Sequence, residues 1–153
     1  MQQLLKLVDQ LALQAPNATK RCISVSEGAV GWHIEHSLLV ITQIIEGVKR
    51  SDPSKYKWTF NFSRLVVLAS NKIPRGKAKA PQSVLPSSDI SANSLLVSVA
   101  KTKLALMELA TCQKNNYFIH PYFGQLNKAA TIRFFEVHTY HHFKIIRDIL
   151  KYS

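Results

Sequence analysis

Apolar residues recur along this chain at helical intervals. Leu4, Leu5, Val8 and Leu11 mark a first helix over residues 2–14. Residues 30–50 carry Ile34, Leu38, Ile41, Ile45 and Val48 at steps of 4, 3, 4 and 3, which is the seam of a helix packed in a bundle. Pro53 predicts its end, because proline disfavours helical backbone in the residue before it. A shorter apolar segment follows at 61–72. The next stretch, "IPRGKAKAPQSVLPSSD", holds three prolines and reads as a long loop.

A further long helix is predicted from near Ser91, with Leu95, Val99, Leu106 and Leu109 along one side and Val97, Leu104 and Met107 nearby. "KNNYFIHPYFGQLN" reads as a loop, and Asn127 as the N-cap of a last helix running to Ser153. Strand-like alternation is almost absent, and no internal repeat is visible. The expected fold class is therefore all-α: a four-helix bundle with an extra short helix after helix 2, forming a single domain over 1–153.

The last helix carries the chemistry. At bundle spacing its seam reads Thr131, Phe135, His138, His142, Ile145 and Ile149, with steps of 4, 3, 4, 3 and 4. One helical turn separates His138 from His142, so two imidazoles share a core-facing side and can bind one ion. A buried pair of neutral histidines bonded to backbone carbonyls is the plainer alternative. His141 falls off that line, as support, a surface residue or an alternative partner. A third ligand is expected from a facing helix, and "GWHIEHS" supplies His33, Glu35 and His36. The order H-x-E-H matches neither zinc-protease motif. His36 lies on the line Trp32, His36, Leu39, Gln43, beside the apolar stripe, and is the favoured ligand. Glu35 and His33 remain rivals, His33 being nearer the helix start and expected on the exposed side. His120, in "IHPYFG", is read as a loop-packing residue that can also line a pocket.

Charge and composition narrow the partners. The 153 residues have a formal net charge of +11, which favours an anionic partner. The cations are spread along the chain, with modest concentrations at 49–57 and 72–79. No recognition-helix motif accompanies them, so nucleic acid ranks last among the partners and a small anionic ligand ranks above it. Cys22 and Cys112 lie too far apart for a zinc knuckle and read as reduced thiols in a cytoplasmic protein. No apolar run approaches the roughly 20 residues of a membrane span, so no membrane partner is expected.

Three motifs together carry a family likeness: "GWHIEHSLLVI", where Trp32 opens a histidine-bearing second helix; "HPYFGQLN"; and "HTYHHFKIIRDI" in the last helix. The chain resembles the DinB/YfiT-like metalloprotein superfamily, in particular an uncharacterised branch with an HP-aromatic-F-G loop before the final helix. The likeness covers nearly the whole chain in element order. It implies a DinB-like four-helix bundle, commonly a homodimer, in which three histidines bind a divalent metal, often nickel or zinc. One ligand comes from helix 2 and two from an H-x-x-x-H in the last helix. His138 and His142 match that pair. In many members the helix 2 ligand stands about two turns after the tryptophan, where this chain has Val40; His36 lies one turn earlier. By resemblance, the function is that of a metal-dependent transferase using a low-molecular-weight thiol, with Trp32, Arg133 and the basic run 74–79 near the pocket. The alternative is a non-catalytic helical bundle, stress-associated or partner-binding, whose metal site is incomplete or vestigial.

Overall fold

The computed structural model describes residues 1–76, 81–87 and 90–153. The described residues form five α-helices and one two-stranded antiparallel sheet: α1 Gln2–Ala12, α2 Val30–Arg50, α3 Phe62–Ser70, α4 Ala92–Thr111, β1 Tyr117–His120, β2 Gly124–Asn127 and α5 Lys128–Tyr152. Helices α4 and α5 both pack on α2, and α1 packs on α4 and α5, so the four longer helices enclose one core. The predicted stripe of α2 lies inside it: Ile34, Leu38, Ile41, Ile45 and Val48 are all buried. Phe135 is fully buried at the centre of α5, where truncation to alanine would cost about 3–5 kcal/mol.

The helix ends show why the chain breaks where it does. Asn127 accepts a hydrogen bond from the Ala130 amide at 3.0 Å, Asn61 caps α3 through the Arg64 amide, and Ser91 forms a reciprocal capping box with Ser94. Helix α2 has no side-chain cap. Its first two amides, of Val30 and Gly31, donate instead to the carbonyls of Lys20 and Ala18, each at 2.9 Å. That approach needs glycine at 31, because a Cβ there would stand 3.1 Å from the Ala18 carbonyl oxygen.

The sheet is a departure from the all-α expectation. "YFIH" and "GQLN" pair in register from Tyr117↔Asn127 to His120↔Gly124, and the turn between them is Pro121-Tyr122-Phe123. Gly124 closes it with φ +68, a left-handed conformation that glycine adopts without strain. His120 Nδ1 accepts hydrogen bonds from the Tyr122 and Phe123 amides, at 3.1 and 3.3 Å. The H-P-aromatic-F-G order is thus the chemistry of a hairpin turn: an acceptor, a proline to start the turn, and a glycine to end it.

Candidate metal centre

Helix α2 presents His33 and His36 towards α5, which presents His138 and His142. The ligand-capable nitrogens of His36, His138 and His142 lie within 4.8 Å of one another. Their ring centroids are 5.3 Å apart for His36 and His138, 4.8 Å for His36 and His142, and 4.6 Å for His138 and His142. The i, i+4 spacing on α5 and the packing of α2 against it account for this convergence.

Each ring has a distinct support. His36 Nδ1 stands 2.8 Å from the carbonyl oxygen of Val84, to which it donates, and its Nε2 keeps a lone pair. The indole of Trp32 stacks on the same ring, with centroids 4.9 Å apart and planes within 12°. His142 Nδ1 stands 3.0 Å from His33 Nδ1, and His33 Nε2 stands 2.9 Å from the hydroxyl oxygen of Ser26. His138 has no such neighbour: its Nδ1 is buried without any hydrogen-bond partner. A buried imidazole nitrogen without a partner is costly, and an ordered water or a ligand would offset that cost.

The electrostatics favour neutral rings, the form that binds metal. Burial lowers the pKa of His33 to about 4, with the neighbouring His36, His141 and Arg75 adding to the effect. Burial likewise lowers His36, and drives His138 and His142 well below the ordinary histidine value of 6.5. His141 is lowered to about 4, again chiefly by burial, with Arg75 contributing. No carboxylate joins the described cluster. A neutral, nitrogen-only ligand set suits borderline metals such as zinc or nickel better than magnesium or calcium.

The remaining sequence candidates fall in different places. His33 was expected on the exposed side; it is buried at 3% exposure, because three residues before His36 is the same helical face. Glu35 points elsewhere, its carboxylate accepting from the Ser98 hydroxyl of α4 at 3.0 Å. His141 packs edge-on against His142 at 5.1 Å and stays outside the triad. His120 belongs to the hairpin, stacked on Phe123 at 4.3 Å. Arg133 donates to the Leu68 carbonyl and to Asn71, clamping the end of α3. Val40, one turn beyond His36, is a buried core residue. Of the basic run 74–79, Arg75 pairs with Asp148 at 2.6 Å, while Lys77 and Lys79 lie outside the described residues. Ser26 and Val84 were not singled out from the sequence, since both sit in connectors without periodicity.

Two cavities, of about 500 and 490 Å³, lie away from the histidines. The first is walled by Lys49, Glu108 and Asn116, the second by Trp58, Phe60 and Leu65. No protein-family model, curated protein or solved structure matches this chain.

Proposed function

We propose that this chain is a divalent-metal protein of the DinB/YfiT-like kind, a helical bundle with His36, His138 and His142 as its ligands. The observation that carries the reading is the convergence of three imidazoles, His36 and His142 buried and His138 half-buried, with the Nδ1 of His138 left unpartnered. His36 is held by the Val84 carbonyl and Trp32, His142 by His33, so two of the three rings are fixed in advance. A bound nickel or zinc ion would supply Lewis acidity, favouring the thiolate form of a low-molecular-weight thiol for transfer to an electrophile. The half-buried free thiols Cys22 and Cys112 fit a reducing, cytoplasmic setting.

The test is metal content, measured by mass spectrometry on protein purified without a histidine tag or chelator. About one equivalent of nickel or zinc is expected, lost in both His36→Ala and His138→Ala. Retention in His36→Ala with loss in His138→Ala would move the third ligand to His33. No metal after incubation with either ion would overturn the reading.

A second reading, a non-catalytic bundle whose histidine site is structural or vestigial, is favoured by one observation: the two cavities described lie away from the triad, and His36 and His142 are largely enclosed. Stoichiometric metal without turnover across a panel of thiol and electrophile substrates would select it.

The homodimer belongs to the same proposal. Val97, Ala100, Leu104 and Met107 line the outer side of α4 at steps of 3, 4 and 3, all exposed, beyond the stripe that α4 turns to its own core. Two such faces packed antiparallel about Leu104 would bring that residue of each copy together.

A further inference from the structure

The net charge of the chain is concentrated beyond what spacing alone suggests. Between Pro53 and Ser88 the sequence has seven lysines and arginines and no acid, against a total of +11. The described part of this stretch also carries the most exposed aromatic surface. Trp58 and Phe60, in the segment before α3, and Phe62, the first residue of α3, are each 68% exposed. Together they begin an exposed apolar face. Leu65 and Val66 continue that apolar face on α3, at 56% and 46%. Trp58, Phe60 and Leu65 wall the same 490 Å³ cavity, so the face is continuous.

Helix α3 differs from the longer helices in burying a cation most deeply. Its one buried residue is Arg64, whose guanidinium donates to the carbonyls of Thr59, Phe123 and Gln125. This buried cation anchors the segment to the hairpin; Val67 and Leu68 pack against the core, while Phe62, Leu65 and Val66 stay exposed. The three aromatic rings alone present roughly 400 Å² of surface, a size that marks an interaction site on an otherwise polar protein. Lys57 and Lys72 flank the face and, among the described residues, neither has a carboxylate partner.

We propose that this face binds the surface of a bilayer containing anionic lipid, with Trp58, Phe60, Phe62 and Leu65 entering the boundary between headgroups and acyl chains and Lys57 and Lys72 lying at headgroup level. Aromatic and aliphatic side chains beside unpaired lysines are the combination that holds a peripheral protein in the interfacial plane. Single-stranded nucleic acid would use the rings for stacking and leave Leu65 and Val66 without a role. A second copy on a two-fold axis would bring the unpaired lysines towards their own images. No helix among the described residues is long and apolar enough to cross a membrane, and binding in the plane requires none. The sequence expectation of no membrane partner rested on spanning length alone.

The experiment is co-sedimentation of the full chain with vesicles of phosphatidylcholine, alone and mixed with phosphatidylserine. Binding is expected to the mixed vesicles, weakened by salt, and reduced at least about tenfold in Trp58→Ala/Phe60→Ala. The wild-type tryptophan emission should shift to the blue and be quenched by brominated lipid. Trp58→Phe, which keeps Trp32 as its one tryptophan, should lose both effects. Absence of binding to phosphatidylserine vesicles, or equal binding and quenching with these side chains replaced, would overturn the proposal. So would salt-dependent binding of an oligothymidine strand in its place, or self-association abolished by the same substitutions.

Discussion

The Nδ1 of His33 lies 3.0 Å from the Nδ1 of His142, so a single proton joins two imidazoles from different helices. Ser26 then decides between two arrangements. If His33 donates its Nε2 proton to the Ser26 hydroxyl oxygen, His33 Nδ1 accepts from His142, and the Nε2 of His142 keeps a lone pair for metal. If the hydroxyl donates, both rings reverse and that lone pair is lost. His33 thus takes the supporting role that a carboxylate or carbonyl commonly fills behind a ligating histidine.

Replacing that support should weaken metal binding without dismantling the fold. His33→Ala is expected to lower nickel or zinc affinity by roughly 10–100-fold, and Ser26→Ala by less. Chelator competition measures both, and circular dichroism checks the helices. An unchanged affinity in His33→Ala would show that His142 needs no such partner.

Stability should fall on acidification, and the sign follows from the direction of the shifts. His33 and His141 are lowered to about 4, and His36, His138 and His142 also lie below 6.5, all chiefly through burial. Below about pH 6.5 the unfolded chain takes up protons that the folded chain refuses. The stabilisation is therefore complete above that pH and drains as pH falls towards 4. For His33 alone, a fall from 6.5 to about 4 is worth on the order of 3 kcal/mol. Calorimetry should show the unfolding temperature dropping steadily between neutral pH and about pH 5. A flat profile there would mean that the rings are solvated in the native state.

Periodicity reached the helices and half of the site. The steps from Thr131 to Ile149 put His138 and His142 on the inner face of α5 before any coordinates, and the stripe of α2 placed His36 beside the core. The rest depends on segments without a period. Val84 reaches His36 and Ser26 reaches His33 from connectors, so nothing in their neighbours announces them. Strands of four residues are too short to show alternation, which is why "YFIH" and "GQLN" read as a loop. An apolar residue at helical spacing also has two places to go: Leu95, Val99, Leu106 and Leu109 face the core, while Val97, Leu104 and Met107 face out. Only packing tells the two stripes apart.

Arg64 is the clearest structural test away from the histidines. Its guanidinium serves the carbonyls of Thr59, Phe123 and Gln125, joining the segment before α3 to the hairpin. Arg64→Met keeps the length and apolar stem but strips three carbonyls of their donor. A loss of at least about 2 kcal/mol is expected in urea unfolding, since buried unsatisfied groups cost more than the bond itself contributes. Arg64→Lys should recover part of it, an ammonium being able to reach fewer of the three carbonyls at once. Full stability in Arg64→Met would mean that water replaces the guanidinium at no cost.

The outer stripe of α4 makes the oligomeric state testable by a single charge. Leu104 is 58% exposed and lies in the outer stripe, so an antiparallel self-pairing with its two-fold axis there would bring it against its own image. Leu104→Glu would then place two carboxylates together at the centre of the seam. Sedimentation velocity should show the wild type as a dimer and Leu104→Glu as a monomer with an unchanged far-ultraviolet spectrum. A wild type that sediments as a monomer at all accessible concentrations would remove the self-pairing.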